Sequence, residues 1–321
     1  MPQNTAQQIT SWNAKATRTN VGYGDEIFDG ISTNNSLVWV LRQSGNVKVV
    51  EGGRTFTHPL LYQVNTSFAA RAALDPIPTP DPDVITRSEW NQRTIDGSTV
   101  ISTLEDAQNM GKAQLISLLE EKRQEAEISM TEVLGDQLVG GTGVAPQWDS
   151  LATIDGLTNT TTVGGVPGSD ASWRNQVGTA VTAFNTTNNG ITSMDATLRA
   201  ATFGSRGPRI IFCTPTVWGL YYISQAGSIR YYNEELADAG FKHLNFNTLP
   251  VLWDDNMANA TGSMKFLDTD SLWLQVLSKG NLVTTKFRES IDQLSMVSLT
   301  YIFGNLTTGS RRTQAVINIT G

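Results

Sequence analysis

From Ser102 to Val139 the chain contains no proline, and its only glycines are Gly111 and Gly135. Residues 112–134 are nearly all strong helix formers. Ser102-Thr103-Leu104-Glu105 has the Ser-x-x-Glu order of a capping box, and Gly140-Gly141 supplies a stop. The pattern predicts one helix over 103–139, about 37 residues and about 55 Å long. An ordinary helix has about 12 residues. The apolar positions form two clusters, one at Leu115–Leu119 and one from Ala126 to Leu138, separated by Glu120-Glu121-Lys122-Arg123-Gln124-Glu125. No heptad joins them, so a coiled coil is excluded. A helix this long with a charged middle reads as a strut across the face of a domain.

What precedes the strut is too polar or too thin to fold alone. Residues 1–36 are rich in Thr, Asn, Ser and Gln, and Gly22-Tyr23-Gly24 and Asp29-Gly30 break any helix. They read as an extended arm that only another surface orders. Residues 37–80 read as an extended β-hairpin loop. Ser36–Arg42 and the alternating Val47, Val49 and Val50 form the way out, and Glu51-Gly52-Gly53-Arg54 is the turn. Phe56 and Leu60–Val64 form the return. Arg42, Lys48, Arg54 and Arg71 face only Glu51, so the ribbon is locally basic. An isolated two-stranded ribbon is marginal in water, so it needs a surface to dock on. Asp75-Pro76-Ile77-Pro78-Thr79-Pro80-Asp81-Pro82-Asp83 reads as a stiff linker, because each proline fixes φ and restrains the residue before it.

Beyond the strut the character is α+β. Residues 155–170 form a Gly/Thr/Asn loop, and 173–184, 194–203 and 216–226 are expected as helices. Residues 208–213 form a buried strand by their apolar run, followed by strands at 249–253, 263–267 and 272–277. The end returns to strand at 293–301 and at Gln314–Thr320, which are expected to pair with the segment flanking the strut. Residues 146–281 would then be an insertion between the helix and its closing strands, 282–321.

The 321-residue chain has net charge −7 and one cysteine, Cys213. An acidic chain of this kind is not a dedicated nucleic-acid binder. Cys213, His58 and His243 cannot supply four zinc ligands, and one cysteine cannot form an intramolecular disulfide. No apolar run reaches membrane-spanning length, and MPQNTAQQIT lacks the features of a signal peptide. Asn-x-Ser/Thr sequons, among them Asn65, Asn159, Asn185, Asn259, Asn305 and Asn318, read as polar surface.

Signals for catalysis are sparse. Asp254, Asp255, Asp268 and Asp270 are close in sequence and carry an Asp-dependent hydrolase as one hypothesis, against solvated turns as the other. Cys213 in an apolar strand reads as a small hydrophobe, with His243 its only distant base. No nucleophile elbow, Walker loop or Gly-x-Gly-x-x-Gly occurs. No cofactor is implied. Arg311-Arg312 and the hairpin residues Arg42, Lys48, Arg54, His58, Tyr62 and Arg71 are candidates for inter-subunit contacts.

In order, these segments resemble the tailed-bacteriophage major capsid protein family. Short motifs carry the resemblance. Val100-Ile101-Ser102 leads into the helix, which holds Asn109-x-Gly111 and Glu125-Ala126-Glu127 and stops at Gly140-Gly141-Thr142-Gly143. Val163-Gly164-Gly165, Trp173-Arg174-Asn175 and Arg230-Tyr231 follow. Ala239-Gly240-Phe241-Lys242-His243-Leu244 precedes Leu249-Pro250-Val251 and Asp254, and Gly309-Ser310-Arg311-Arg312 precedes the last strand. The resemblance implies an α+β phage major-capsid fold. Its parts would be an N-terminal arm (1–36), an extended hairpin loop (37–80), a peripheral domain (81–145) with a spine helix (103–139), an inserted axial domain (146–281) and closing strands (282–321). It implies a virion subunit that builds pentamers and hexamers of an icosahedral shell in the host cytoplasm, enclosing double-stranded DNA without sequence-specific contacts. Its partners would be copies of itself, a separate scaffolding protein, a portal and a decoration protein. An encapsulin-like compartment is the alternative on the same fold. Lys48 carries no sign of the covalent cross-linking seen in some relatives.

Overall fold

A computed structural model describes residues 35–61, 65, 67–72, 75–77, 79, 84–104, 112–184, 189–225, 243–259 and 264–319. The arm and the segment around Arg230-Tyr231 lie outside the described residues. The first element is a helix, α1 (Ser36–Gln43), where a strand was expected. The apolar run Leu37-Val38-Trp39-Val40-Leu41 carries no period that separates a strand from a buried helix. The cap decides it. Asn35 Oδ1 accepts from the Val38 amide at 3.2 Å, and Leu37, Val38, Val40 and Leu41 are all buried.

The strands follow as β1 (Val47–Val50), β2 (Thr55–Leu61), β3 (Ile85–Asn91) and β4 (Arg93–Ser102). The long helix, α2, is described from Lys112 to Gly140 and stops at the predicted glycine pair. Ser102 Oγ accepts from the Leu104 amide at 3.2 Å, and Glu105, the other half of the expected capping box, lies outside the described residues. Then come α3 (Leu151–Ile154), β5 (Gln176–Val177), α4 (Gly190–Ala201), β6 (Ile210–Cys213), α5 (Pro215–Ser224), β7 (His243–Phe246), β8 (Leu249–Trp253), β9 (Met264–Leu267), β10 (Leu272–Leu277), β11 (Val283–Thr284), β12 (Arg288–Glu289), β13 (Ser295–Thr308) and β14 (Ala315–Ile317). The helix expected at 173–184 does not form. Trp173 sits in a turn, its Nε1 donating to the Val163 carbonyl at 3.1 Å, and β5 pairs in parallel with β14.

Two six-stranded sheets result. In the first, β13 is the hub. β4 runs along one edge of it, from Ser295↔Ser102 to Gly304↔Arg93, and β12, β11 and β10 succeed one another along the other. β1 adds in parallel to β10. The second sheet has the order β5-β14-β9-β6-β8-β7. Pairing of the 293–301 strand with the segment before the helix is as expected. Two other assignments change. Leu272–Leu277, expected in the inserted unit, belongs to the first sheet, and the last strand, expected to close the first sheet, lies in the second. Both short apolar strands suit a buried position in either sheet, so hydrophobicity alone does not assign them.

The hairpin also pairs differently from expectation. Its two strands are β2 and β3, antiparallel from Thr55↔Asn91 to Leu61↔Ile85. The proline-rich segment therefore lies in the connection at the far end of the ribbon instead of linking two domains.

One apolar core gathers α1, the C-terminal half of α2, the first sheet and the base of the ribbon, with Trp90, Trp148 and Trp173 fully enclosed. A second core packs α4 and α5 on the second sheet. At the centre of the first sheet β13 comes close to its neighbours. A Cβ at Gly304 would stand 2.5 Å from the Gln275 carbonyl and 3.0 Å from the Trp148 ring. Gly304→Ala is expected to cost about 1–3 kcal/mol by overpacking, read as a lowered midpoint in denaturant unfolding.

Candidate functional site

The ribbon's strands alternate strictly. On β2, Phe56, His58 and Leu60 point inward, while Thr57, Pro59 and Leu61 point out. On β3, Ser88 and Trp90 point inward. This is the period of two that a pleated strand imposes. The inward residues hold the base of the ribbon to the first sheet. His58 Nε2 lies 3.1 Å from Thr307 Oγ1, and its ring stacks on Trp273 with centroids 4.5 Å apart. Ser88 Oγ donates to the Thr308 carbonyl at 3.4 Å and accepts from Trp90 Nε1 at 3.2 Å. The Glu89 amide donates to the Gly164 carbonyl at 2.8 Å, and a Cβ at Gly164 (φ +60°) would press on the Trp90 ring. The Val163-Gly164-Gly165 motif is thus a seat for Trp90.

Burial, and secondarily the charge of Lys48, lowers the His58 pKa to about 4. Lys48 itself lays its Nζ 4.3 Å from the centre of the Trp273 ring.

Large apolar side chains at the far end of the ribbon are uncovered. Leu61 is 64% exposed, Phe68 84%, Ile77 76% and Ile85 63%. Singly these would be ordinary; here four such side chains fall at one end of one element.

The body beneath is braced where the chain passes between the sheets. Besides the long passage from β4 to β5 through α2 and α3, it crosses by two short segments, at 268–271 between β9 and β10 and at 309–314 between β13 and β14. The two crossings are stitched together. Gln314 and Asp268 exchange hydrogen bonds, side-chain amide against backbone, at 2.9 and 3.1 Å. The Asp268 carboxylate also accepts from Ser271 Oγ at 3.0 Å and Thr313 Oγ1 at 2.7 Å. Beside them lie three fully buried ionisable groups, Asp155, Lys265 and Arg311. Arg311 donates to the carbonyls of Ile154 (2.6 Å) and Thr161 (3.2 Å). Lys265 donates to the carbonyls of Leu151 (3.1 Å) and Asp155. Asn175 Nδ2 donates to Asp155 Oδ1 at 2.9 Å. Burial pushes the Asp155 carboxyl up to about 6, the Lys265 ammonium down to about 8 and the Arg311 guanidinium down to about 10. The opposite charges, with Asn175 for Asp155, pull the other way, while the like charge of Arg311 adds to the lowering at Lys265.

The sequence candidates divide accordingly. Arg311, expected at an interface, is enclosed, and its guanidinium holds the 154–161 loop from within. His58, expected at the surface or an interface, is buried against its own sheet. Arg42, Lys48, Arg54 and Arg71 are exposed, with Arg71 donating to the Ser67 carbonyl at 2.7 Å. Arg312 is half-buried, its guanidinium 4.0 Å over the exposed Phe203 ring. Tyr62 lies outside the described residues. The four aspartates do not converge. Asp254 is buried, accepting from Ser36 Oγ and from the Asn256 amide at 2.9 Å, and Asp270 pairs with Arg209. Cys213 is buried, its Sγ donating to the Leu252 carbonyl at 3.2 Å, and burial raises its pKa. Sequence reasoning missed Lys265. The available signal was a lysine inside the otherwise apolar strand Met264-Lys265-Phe266-Leu267.

No protein-family model matches the sequence, and no curated protein matches it. The architecture does find counterparts. The capsid asymmetric unit of cyanophage A-1(L) superposes with a TM-score of 0.62 at 13% identity, over 88% of this chain and 93% of that chain. The chain carries the phage capsid-subunit fold. The capsid of the native GTA particle, computed with C5 symmetry, gives 0.57 at 13% identity over 90% and 91% of the two chains. The holo-SrpI encapsulin complex from Synechococcus elongatus gives 0.54 at 13% identity over 87% and 86%. This capsid fold, with so little identity, rests on the pattern of buried positions and not on particular residues.

Two tests follow from the ribbon seat and the brace. His58 titrates near 4 when folded and at its ordinary 6.5 when unfolded. The unfolded chain therefore takes the proton first. The stability tied to neutral His58 is complete above pH 6.5 and falls away as pH drops to 4, by up to roughly 3 kcal/mol. Melting curves across that window should be flatter for His58→Gln than for the wild type. Lys265→Ala strips Asp155 of its nearest compensating charge and is expected to cost about 3–5 kcal/mol, measured by urea unfolding at pH 7.

Proposed function

We propose that this chain is the structural subunit of an icosahedral tailed-phage shell, assembling as pentamers and hexamers around packaged double-stranded DNA. The observation that carries the reading is the ribbon. Its base is fastened to the body through His58, Ser88 and Trp90, while its far end presents Leu61, Phe68, Ile77 and Ile85 to water. A rigidly aimed apolar surface of this kind is completed by a neighbouring copy. Permanent interfaces bury roughly 2,000–5,000 Å², and a lone chain leaves that area uncovered. Closed symmetry turns such repeated docking into a container. The net charge of −7 suits a wall that faces DNA without gripping it.

In this reading the first sheet and α2 are the peripheral part and the second sheet the axial part, meeting its copies around the symmetry axes. Arg42, Lys48, Arg54, Arg71, the half-buried Arg312 and Tyr62 are the residues this reading sets against neighbouring copies. The subunit works by assembly and not by turnover. Its partners are other copies, a separate scaffolding protein, a portal and a decoration protein. Its place is the virion, after assembly in the host cytoplasm. The match to an encapsulin complex supports a second reading, a bacterial compartment with the same shell geometry.

Electron microscopy of the purified protein should show closed particles. Nucleic acid inside particles from the native source supports the phage reading, and enzyme cargo supports the compartment. Replacing residues 62–84 by a two-residue turn removes the far end and leaves β2 and β3 paired. That variant should stay soluble with an unchanged melting temperature and make no closed particles. Normal particles from it would overturn the ribbon's role.

A further inference from the structure

The brace between the sheets leaves three polar atoms unserved. Asp155 Oδ2, Asn175 Oδ1 and Arg311 Nη2 are buried and have no hydrogen-bond partner among the described residues. All three residues are fully enclosed. A buried polar atom without a partner loses its hydration and gains nothing for it, so three in one cluster point to a shared partner. They come from three segments: the end of α3, the turn before β5, and the crossing between β13 and β14.

The bonds already made gather these atoms around the Asp155 carboxylate. Asn175 Nδ2 donates to Asp155 Oδ1 at 2.9 Å and to the Gly156 carbonyl at 2.9 Å. Two acceptors at that nitrogen fix which end of the amide is which, so Asn175 Oδ1 is an acceptor on a side chain bonded to the carboxylate. Arg311 Nε donates to the Ile154 carbonyl, one peptide before Asp155. Nη2 lies on the same edge of the planar guanidinium as that Nε–H, the edge with which arginine grips a carboxylate in a fork. Arg311 and Asp155 act on each other's charge. Nη2 and Oδ2 nevertheless both lack a partner, so the fork stands open by more than one hydrogen bond's length. Lys265 does not close it, because its Nζ serves the Leu151 and Asp155 carbonyls.

Two acceptors and one donor are the complement of a water molecule, which donates twice and accepts from a third group. Buried waters make about three hydrogen bonds. An anion would meet the Asp155 carboxylate and the Asn175 carbonyl. A cation would meet the Arg311 guanidinium and the Lys265 ammonium, which already repel each other. A neutral molecule that both donates and accepts suits the set. We propose that one water molecule is a permanent part of this brace, donating to Asp155 Oδ2 and Asn175 Oδ1 and accepting from Arg311 Nη2. It joins the 154–161 loop, the start of β5 and the crossing at 309–314 through one atom, within a single subunit.

A density map of the full-length chain, sharp enough to show ordered water, tests this. One peak should lie within about 2.7–3.2 Å of all three atoms. No peak there, a peak that leaves any of the three out of reach, or Arg311 Nη2 bonded directly to Asp155, overturns the proposal. Asp155→Glu lengthens the side chain by one methylene, about 1.5 Å, and carries the carboxylate onto the guanidinium. In that variant the peak should be lost while Arg311 Nε stays on the Ile154 carbonyl. A peak that persists unchanged in Asp155→Glu overturns the proposal as well. Should that variant not fold, the wild-type peak alone decides.

Discussion

Everything in this chain depends on holding two sheets against each other where it passes between them by two short segments. The crossings at 268–271 and 309–314 run side by side, and both are short, so neither would be stiff alone. The reciprocal pairing of Gln314 with the Asp268 backbone makes them one piece. Arg311 extends that piece into the 154–161 loop, and Lys265 ties the centre of the second sheet to α3. Charges buried this deeply favour uniqueness over strength. Arg311 and Lys265 serve the carbonyls of one loop and one short helix, while Arg311 Nη2 and Asp155 Oδ2 stay without a hydrogen-bond partner.

That brace gives the ribbon its aim. The base of β2 and β3 sits on Thr307, Thr308 and Trp273, residues of the same β13 and β10 that lead into the crossings. A projecting element is useful for docking only if its root does not swivel. Here the root is a buried histidine, a tryptophan seated on glycine and a stacked indole, and the exposed apolar residues lie beyond it.

The parts that were legible in the sequence were those with a period or a punctuation mark. The long helix and its stop at Gly140 follow from absent proline and the glycine pair, and the buried strand at Ile210–Cys213 from its apolar run. Segments without period were misread. Ser36–Gln43 is apolar on successive residues, and only the Asn35 cap makes it a helix. Short strands such as Ala315–Ile317 are buried on both faces, so nothing in their composition says which sheet they join. The hairpin was recognised as an element, but its partner strand lies beyond a proline-rich stretch, and proline reads as a linker when it in fact tops a ribbon. Arginine in a Gly-Ser-Arg-Arg turn reads as surface charge, yet Arg311 turns inward because three carbonyls of a distant loop await it.

Pro59 has a consequence for the whole assembly. A two-stranded ribbon with apolar decoration and open backbone edges invites endless sideways growth into fibres. Pro59 deletes one amide from the outer strand, and the Arg87–Glu89 charge pair at 2.6 Å sits on the other. In the shell proposed above, a ribbon guarded in this way would recognise a neighbour through side chains and not by stacking backbone to backbone, and growth would end when the last surface of the right shape is taken.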